Sequence, residues 1–175
     1  MPGRYLMLHC PIGKVFPMDY KAVKLFAVDV DGTLTDGKII YGPSGVSQSF
    51  SSRDGAGIMR LLENGVEVAF VSFRDFVSTR RRASDLGVKL LCLGSRDKAA
   101  SVKQLAEHLG IPLDCVLFMG DDRKDIPAMQ VAGISACPRD AVAEVKNTCS
   151  VVADSNGGHG AVREIAELIL EAAGE

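Results

Sequence analysis

The stretch FAVDVDGTLTDG, residues 26–37, decides the fold. Phe26, Ala27, Val28 and Val30 read as a buried strand, with Asp29 and Asp31 where that strand would end. Strand side chains two apart point the same way, so this reading crowds two carboxylates at the tip of an apolar element. Two such charges about 4 Å apart repel by roughly 4 kcal/mol at an effective dielectric near 20. A cation in their field would relieve the crowding, so the segment reads as a strand that delivers acidic groups to a site.

Outward from this stretch, apolar runs alternate with amphipathic ones. Strands are predicted at 24–30, 66–72, 89–94, 115–121, 134–138 and 150–154. Helices are predicted at 56–64, 76–86, 98–109, 126–132, 141–148 and 161–173, the last with the clearest apolar stripe. Gly65, Gly87, Gly110 and Gly133 follow four of these helices, where a terminating glycine belongs. Near-continuous apolar strands between helices imply an α/β fold, a parallel sheet covered by helices on both faces. Right-handed crossovers then bring every strand's C-terminal end to one rim. Residues 38–50, KIIYGPSGVSQSF, break the alternation and read as a β-hairpin around GPSG that projects over that rim. With no repeat or linker, residues 24–175 form one domain, preceded by an N-terminal extension over 1–23 in which Met18 is an alternative start.

Composition narrows the partners. A net charge of -2 on 175 residues provides no global attraction for nucleic acid or membrane, and the chain has no Trp for base stacking. The run Arg80-Arg81-Arg82 reads as a solvated helix face. The five cysteines are scattered without a CxxC pair, which argues against a zinc or redox motif and fits a reducing compartment. The short apolar run YLML near the N-terminus lacks the cleavage pattern of a secretory signal, so the expected location is cytoplasmic.

Four features meet at the common rim. Asp29 and Asp31 end the first strand, Ser72 ends the second, Lys98 opens a helix, and Asp121, Asp122 and Asp125 lie in GDDRKD after the fourth. Each alone has a plain structural reading as a turn, a cap or a solvated residue. Together they suit phosphoryl transfer. Carboxylates from Asp29, Asp31 and Asp121 call for a dication, and hard oxygen ligands without Cys or His select Mg²⁺. Asp29 can attack a phosphoryl group while Asp31 protonates the leaving oxygen and later deprotonates a water. Ser72 and the backbone N–H groups after Asp31, in the loop carrying Thr33, would bind phosphate oxygens, with Lys98 neutralising charge.

DVDGT, Ser72, Lys98 and GDDRKD, in that order, resemble the haloacid dehalogenase superfamily of aspartyl-phosphate phosphatases. The resemblance runs from about Lys24 to the last helix. It implies a Rossmann-like fold, Asp29 as nucleophile and Asp31 as acid/base. It also implies Mg²⁺ held by the Asp29 carboxylate, the Asp31 carbonyl and Asp121, with Asp122 and Asp125 in support. VDVDGTLTDGKIIY, SSRDGAGI, GDDRKDIPAM and GGHGAVREI are similar to the capless phosphatases of 3-deoxy-D-manno-octulosonate 8-phosphate, a group tied to lipopolysaccharide biosynthesis. A related group takes the 9-phosphates of nine-carbon sialic-type sugar acids. Between Ser72 and Lys98 there is room for one helix and one strand, not a cap domain. The capless family forms homotetramers in which a neighbour's hairpin helps close each site. By the same resemblance Ser51, Ser52, Arg53, Asp54, Gly55, Arg74 and Arg82 fall where relatives contact the sugar acid. Arginines there suit a substrate carrying both carboxylate and phosphate. The chain departs from the family's T-G-R with Ser72-Phe73-Arg74, and has Met59 where close relatives carry Arg.

Other classes fit less well. A phospho-receiver places its phosphorylated Asp on a later strand than the acidic pair, whereas here DxD comes first. A dehalogenase does not need Asp31. The non-catalytic phosphatase-like appendage of some sugar-acid cytidylyltransferases loses catalytic residues that this chain keeps.

Overall fold

The computed structural model describes residues 18–43 and 45–174, so most of the N-terminal extension, the alternative start aside, lies outside the described residues. Six strands form a parallel sheet in the order β5-β4-β1-β6-β7-β8. They are β1 (Leu25–Val28), β4 (Glu67–Ser72), β5 (Leu90–Leu93), β6 (Val116–Met119), β7 (Ile134–Cys137) and β8 (Val151–Val152). Strands β2 (Ile40–Gly42) and β3 (Gly45–Ser47) pair antiparallel as a separate hairpin. The helices are α1 (Ser52–Glu63), α2 (Val77–Leu86), α3 (Lys98–Leu109), α4 (Ile126–Val131), α5 (Ala143–Thr148) and α6 (Ala161–Ala173).

The apolar runs read as double-faced strands because both faces are covered. Phe26, Val28, Val68, Phe70, Leu117 and Met119 pack with Ile58 and Leu61 of α1 and with Ile165 and Ile169 of α6. Leu25, Ala27, Ala69, Val71, Val116 and Phe118 face the other way, onto Val102 and Leu105 of α3, Ala128 and Met129 of α4, and Val145 of α5. Full burial of each large apolar side chain contributes about 1.5–3 kcal/mol, so these two layers hold the sheet rigid beneath its rim. Val23 is buried and Tyr20 packs against the same core, so packing begins slightly ahead of Lys24.

Chain order places the site. Strand β1 lies between β4, which follows it in sequence, and β6, reached after two further crossovers. Connections leaving β1 and β6 therefore run in opposite directions, and the crevice between the C-terminal ends of these two strands is where such sheets bind ligands. Among the described residues only α2 and β5 separate Ser72 from Lys98, and no cap domain is present. The free thiols Cys137 and Cys149, far apart in sequence, meet with their sulfurs 3.2 Å apart inside the second core.

Candidate active site

The first strand ends two residues earlier than its sequence pattern suggests. Pairing stops at Val28, Asp29 N–H donates to Met119 O of β6, and the chain turns through Val30–Leu34. Thr35 N–H closes this turn by donating to Val30 O at 3.0 Å. Gly32 makes the turn with φ of +94°, and a Cβ there would lie 2.2 Å from Asp121 Oδ2. Asp29 and Asp31 consequently leave the common strand face that alternation predicted and enter different surroundings.

Asp29 is 5% exposed, and its Oδ1 lies 2.6 Å from Lys98 Nζ. The same ammonium lies 2.6 Å from Asp125 Oδ1. Asp125, fully buried, accepts at its other oxygen from the backbone N–H groups of Asp121 and Asp122, each at 3.0 Å. Gly120 allows this approach, since a Cβ there would sit 2.4 Å from the Asp125 carboxyl carbon. Burial pushes the Asp29 carboxyl well above the usual range, Asp125 adds to the rise and Lys98 opposes it. Asp121 is pushed up to about 6, by burial first and then by the charge of Asp125. For Lys98 burial acts downward, but Asp29 and Asp125 outweigh it and hold the ammonium above its ordinary pKa. The crowding read from the sequence is present, but it sets Asp29 against Asp125 and Asp121 rather than against Asp31.

Carboxylate oxygens of Asp29, Asp121 and Asp125 all lie within 4.8 Å of one another. This all-oxygen set fits a hard dication. Asp125 already accepts from Lys98 at one oxygen and two backbone N–H groups at the other, so it serves as a buttress, leaving Asp29 and Asp121 to face an ion. Thr33, expected to bind phosphate, is buried and donates its hydroxyl to Asp121 Oδ1 at 3.1 Å. Asp122 caps the helical turn Arg123–Asp125.

Asp31 lies at the mouth. One of its oxygens accepts from Gln48 Nε2 at 2.8 Å, and the other lies 3.3 Å from an Arg74 guanidinium nitrogen. The opening is a cavity of about 150 Å³ lined by Asp29, Asp31, Ser72, Phe73, Arg74, Lys98, Asp122, Lys124 and Asp125. Phe73 forms one wall, with Lys124 Nζ 4.3 Å and Arg96 Cζ 5.8 Å from its ring centre. In the sequence Phe73 stands out only as a departure from the family's T-G-R, with no sign that two cations rest on it.

The remaining candidates gather elsewhere. Ser51 accepts from Asp54 N–H and caps α1. Ser52 and Arg53 line an open hollow with Ala56 and Arg163. Asp54 is 1% exposed and accepts from the backbone N–H groups of Gly160 and Arg163, at 3.2 and 2.9 Å, which caps the start of α6. Arg82 donates to Ser51 O at 2.9 Å and lies against Gly55, where a Cβ would come within 2.2 Å of its guanidinium. Of the sequence-derived sugar contacts, Arg74 alone lines the catalytic cavity of its own chain.

A family model described as haloacid dehalogenase-like hydrolase matches residues 94–165. The chain is 40% identical over 154 residues to the 3-deoxy-D-manno-octulosonate 8-phosphate phosphatase KdsC of Haemophilus influenzae, covering 87% of this chain and 86% of that protein. The chain belongs to the KdsC family of haloacid dehalogenase-like hydrolases. Two solved structures of that family match its architecture closely. The cobalt-bound Haemophilus influenzae phosphatase superposes with a TM-score of 0.86 at 39% identity, over 89% of this chain and 92% of that one. The Moraxella catarrhalis phosphatase, in complex with magnesium ion, phosphate ion and KDO, gives 0.87 at 36% identity, over 89% and 90%.

Proposed function

We propose that this KdsC-family protein is a Mg²⁺-dependent phosphomonoesterase that hydrolyses 3-deoxy-D-manno-octulosonate 8-phosphate through an aspartyl-phosphate on Asp29. The observation that carries the reading is the placement of Asp29, a buried carboxylate at the end of the central strand, ion-paired to Lys98 and gathered with Asp121 and Asp125. Mg²⁺ would be held by the Asp29 and Asp121 carboxylates and the Asp31 backbone carbonyl. When bound it supplies a Lewis acid that draws charge from the phosphoryl oxygens.

In the first half-reaction an Asp29 oxygen attacks phosphorus. The ester P–O bond breaks, its electron pair stays on the sugar oxygen, and the Asp31 carboxyl gives that oxygen its proton. In the second, the Asp31 carboxylate takes a proton from water as the water oxygen attacks phosphorus. The P–O bond to Asp29 breaks, freeing phosphate and the carboxylate. Ser72, 2% exposed at the end of β4, and the backbone N–H groups of the Asp31–Thr33 turn hold phosphoryl oxygens, and Lys98 favours the ionised form of Asp29. Arg74, exposed at the mouth beside Asp31, suits the sugar carboxylate.

A homotetramer is part of the proposal. Ile40 and Tyr41 on the hairpin are 54% and 80% exposed, as expected of a flap that covers a neighbouring protomer. Such packing would carry the cluster of Ser51, Ser52, Arg53, Asp54, Gly55 and Arg82 into reach of a substrate that its own chain's cavity does not offer it. The free buried thiols are consistent with the cytoplasm. Among the described residues no helix is long and apolar enough to cross a membrane.

The test is phosphate release from the octulosonate 8-phosphate, from nonulosonate 9-phosphates and from an aryl phosphate, with Mg²⁺ and with EDTA. The expected result is strong preference for the octulosonate ester, dependence on Mg²⁺ and loss in Asp29→Asn. Undiminished turnover in EDTA or in the variant would overturn the mechanism. Preference for a nine-carbon ester would move the substrate, and no turnover at all would favour a scaffold.

A further inference from the structure

Gln48 leaves strand β3 on the hairpin's return arm and meets the rim beside Asp31. Its Nε2 donates to Asp31 Oδ1 at 2.8 Å. Its Oε1 accepts from Ser78 Oγ at 2.6 Å and from Thr79 Oγ1 at 2.9 Å. These partners set the direction of the amide, since an ionised carboxylate can only accept and faces the NH₂, leaving the carbonyl to the two hydroxyls. Ser78 and Thr79 lie in the first turn of α2, and Thr79 is 1% exposed, so the far end of the bridge is fixed to a packed helix. The other holder of Asp31 differs in kind. Arg74 sits at 3.3 Å on a side chain that is 46% exposed, and is free to turn to an incoming anion.

We infer that Gln48 is a positioning residue for the acid/base Asp31, tying its carboxyl to α2 and making its aim depend on the seating of the hairpin. The inference rests on the phosphatase reading. The chemistry requires one carboxyl oxygen to be held and the other to exchange a proton. A donor on Oδ1 is compatible with a proton on Oδ2 and with its absence, so the clamp survives both half-reactions. Without it the Asp31 side chain keeps, among the described residues, only the exposed Arg74, which the substrate's own carboxylate would draw away. Positioned acid–base groups contribute about 10²–10⁴-fold, so misaiming one loses a measurable part of that.

The discriminating measurement is leaving-group dependence. In kcat/KM the reaction is followed as far as ester cleavage, where a sugar alkoxide needs the Asp31 proton and a nitrophenolate does not. Gln48→Leu removes both ends of the bridge. Gln48→Glu keeps acceptors for Ser78 and Thr79 but turns the donor facing Asp31 into a carboxylate. In both variants kcat/KM for the sugar phosphate is expected to fall about 10–100-fold, with that for p-nitrophenyl phosphate changed less than about 3-fold. Equal losses on both esters would reduce Gln48 to a hairpin anchor and overturn the inference, as would parent-like behaviour of Gln48→Glu. A melting curve separates either result from unfolding, and a Thr79→Val variant, cutting the anchor without touching Gln48, should show a weaker form of the same selectivity. Failure of the parent protein to cleave either ester would instead remove the phosphatase reading.

Discussion

Replacing Lys98 with methionine removes an ammonium from between two buried carboxylates while keeping the volume of the stem. Lys98 Nζ lies 2.6 Å from both Asp29 Oδ1 and Asp125 Oδ1. At that separation each attraction is worth about 6 kcal/mol gross at an effective dielectric near 20. Desolvation of three charged groups cancels much of it, and removing one partner of a buried pair costs about 3–5 kcal/mol net. That is the expected loss of stability at neutral pH without Mg²⁺. The direction with pH follows from Asp29, whose pKa is already raised by burial and by Asp125 and held back by Lys98. A carboxyl with a raised folded pKa adds stability that is fully present below its unfolded pKa and lost as pH rises through the folded one. Loss of Lys98 raises it further, so the cost of Lys98→Met should be small near pH 5 and grow toward about pH 8. Urea unfolding in EDTA at both pH values measures this, and added Mg²⁺ should recover part of the loss by returning positive charge. A cost below about 1 kcal/mol at the higher pH, or equal costs at both, would refute the reasoning.

The other predictions use the same geometry. Asp121→Asn in EDTA should become more stable than the parent as pH rises from about 4 to about 7, by at most about 3 kcal/mol, since the parent carboxyl at about 6 must then ionise in a buried site. Mg²⁺ should abolish that trend, and a gap in unfolding free energy that ignores pH would exclude it. Asp54→Ala should lower stability by about 1–3 kcal/mol, because two N–H groups at the start of α6 lose their acceptor. Unchanged KM with that loss marks a helix cap, whereas a raised KM at full stability marks a sugar contact. Phe73→Ala should cost less than about 1 kcal/mol of stability but raise KM, with kcat held, as Lys124 and Arg96 lose the ring that places them. A change confined to kcat would contradict this.

The strand-end residues were legible because parallel topology does the placing. Once Leu25–Val28, Glu67–Ser72 and Val116–Met119 are read as strands, one rim must receive Asp29, Ser72 and Asp121. Lys98 follows from the same rule, since its helix begins at that rim. Side-chain partners across the turn were not legible. Alternation put Asp29 and Asp31 on one face, but the chain leaves the strand at Val28 and turns at Gly32, whose positive φ period-two reasoning cannot register. Gln48 was missed because its three partners lie 17, 30 and 31 residues away and meet only through the path of the hairpin. A polar residue closing a hairpin otherwise rich in exposed groups was the only signal. Asp54 and Arg82 were read through family likeness as sugar contacts, while within their own chain they hold α1, α2 and α6 together.

The separation of Asp29 from Asp31 has a chemical reason. A nucleophile must ionise in a dry place, and a buried ammonium at 2.6 Å pulls Asp29 that way against burial and the charge of Asp125. An acid/base must reach the leaving oxygen and then a water, so it needs neutral support and access to the mouth, as Asp31 has through Gln48. Exchanging the environments would disable both, because a carboxyl pinned by Lys98 would hold its proton poorly and one at the mouth would be screened from phosphorus by water. Two carboxylates two residues apart can take opposite roles only if the chain bends sharply between them. That bend begins at Val30, just past the last paired residue Val28, and Gly32, with its left-handed φ and with Asp121 where a side chain would be, carries the turn on beyond Asp31.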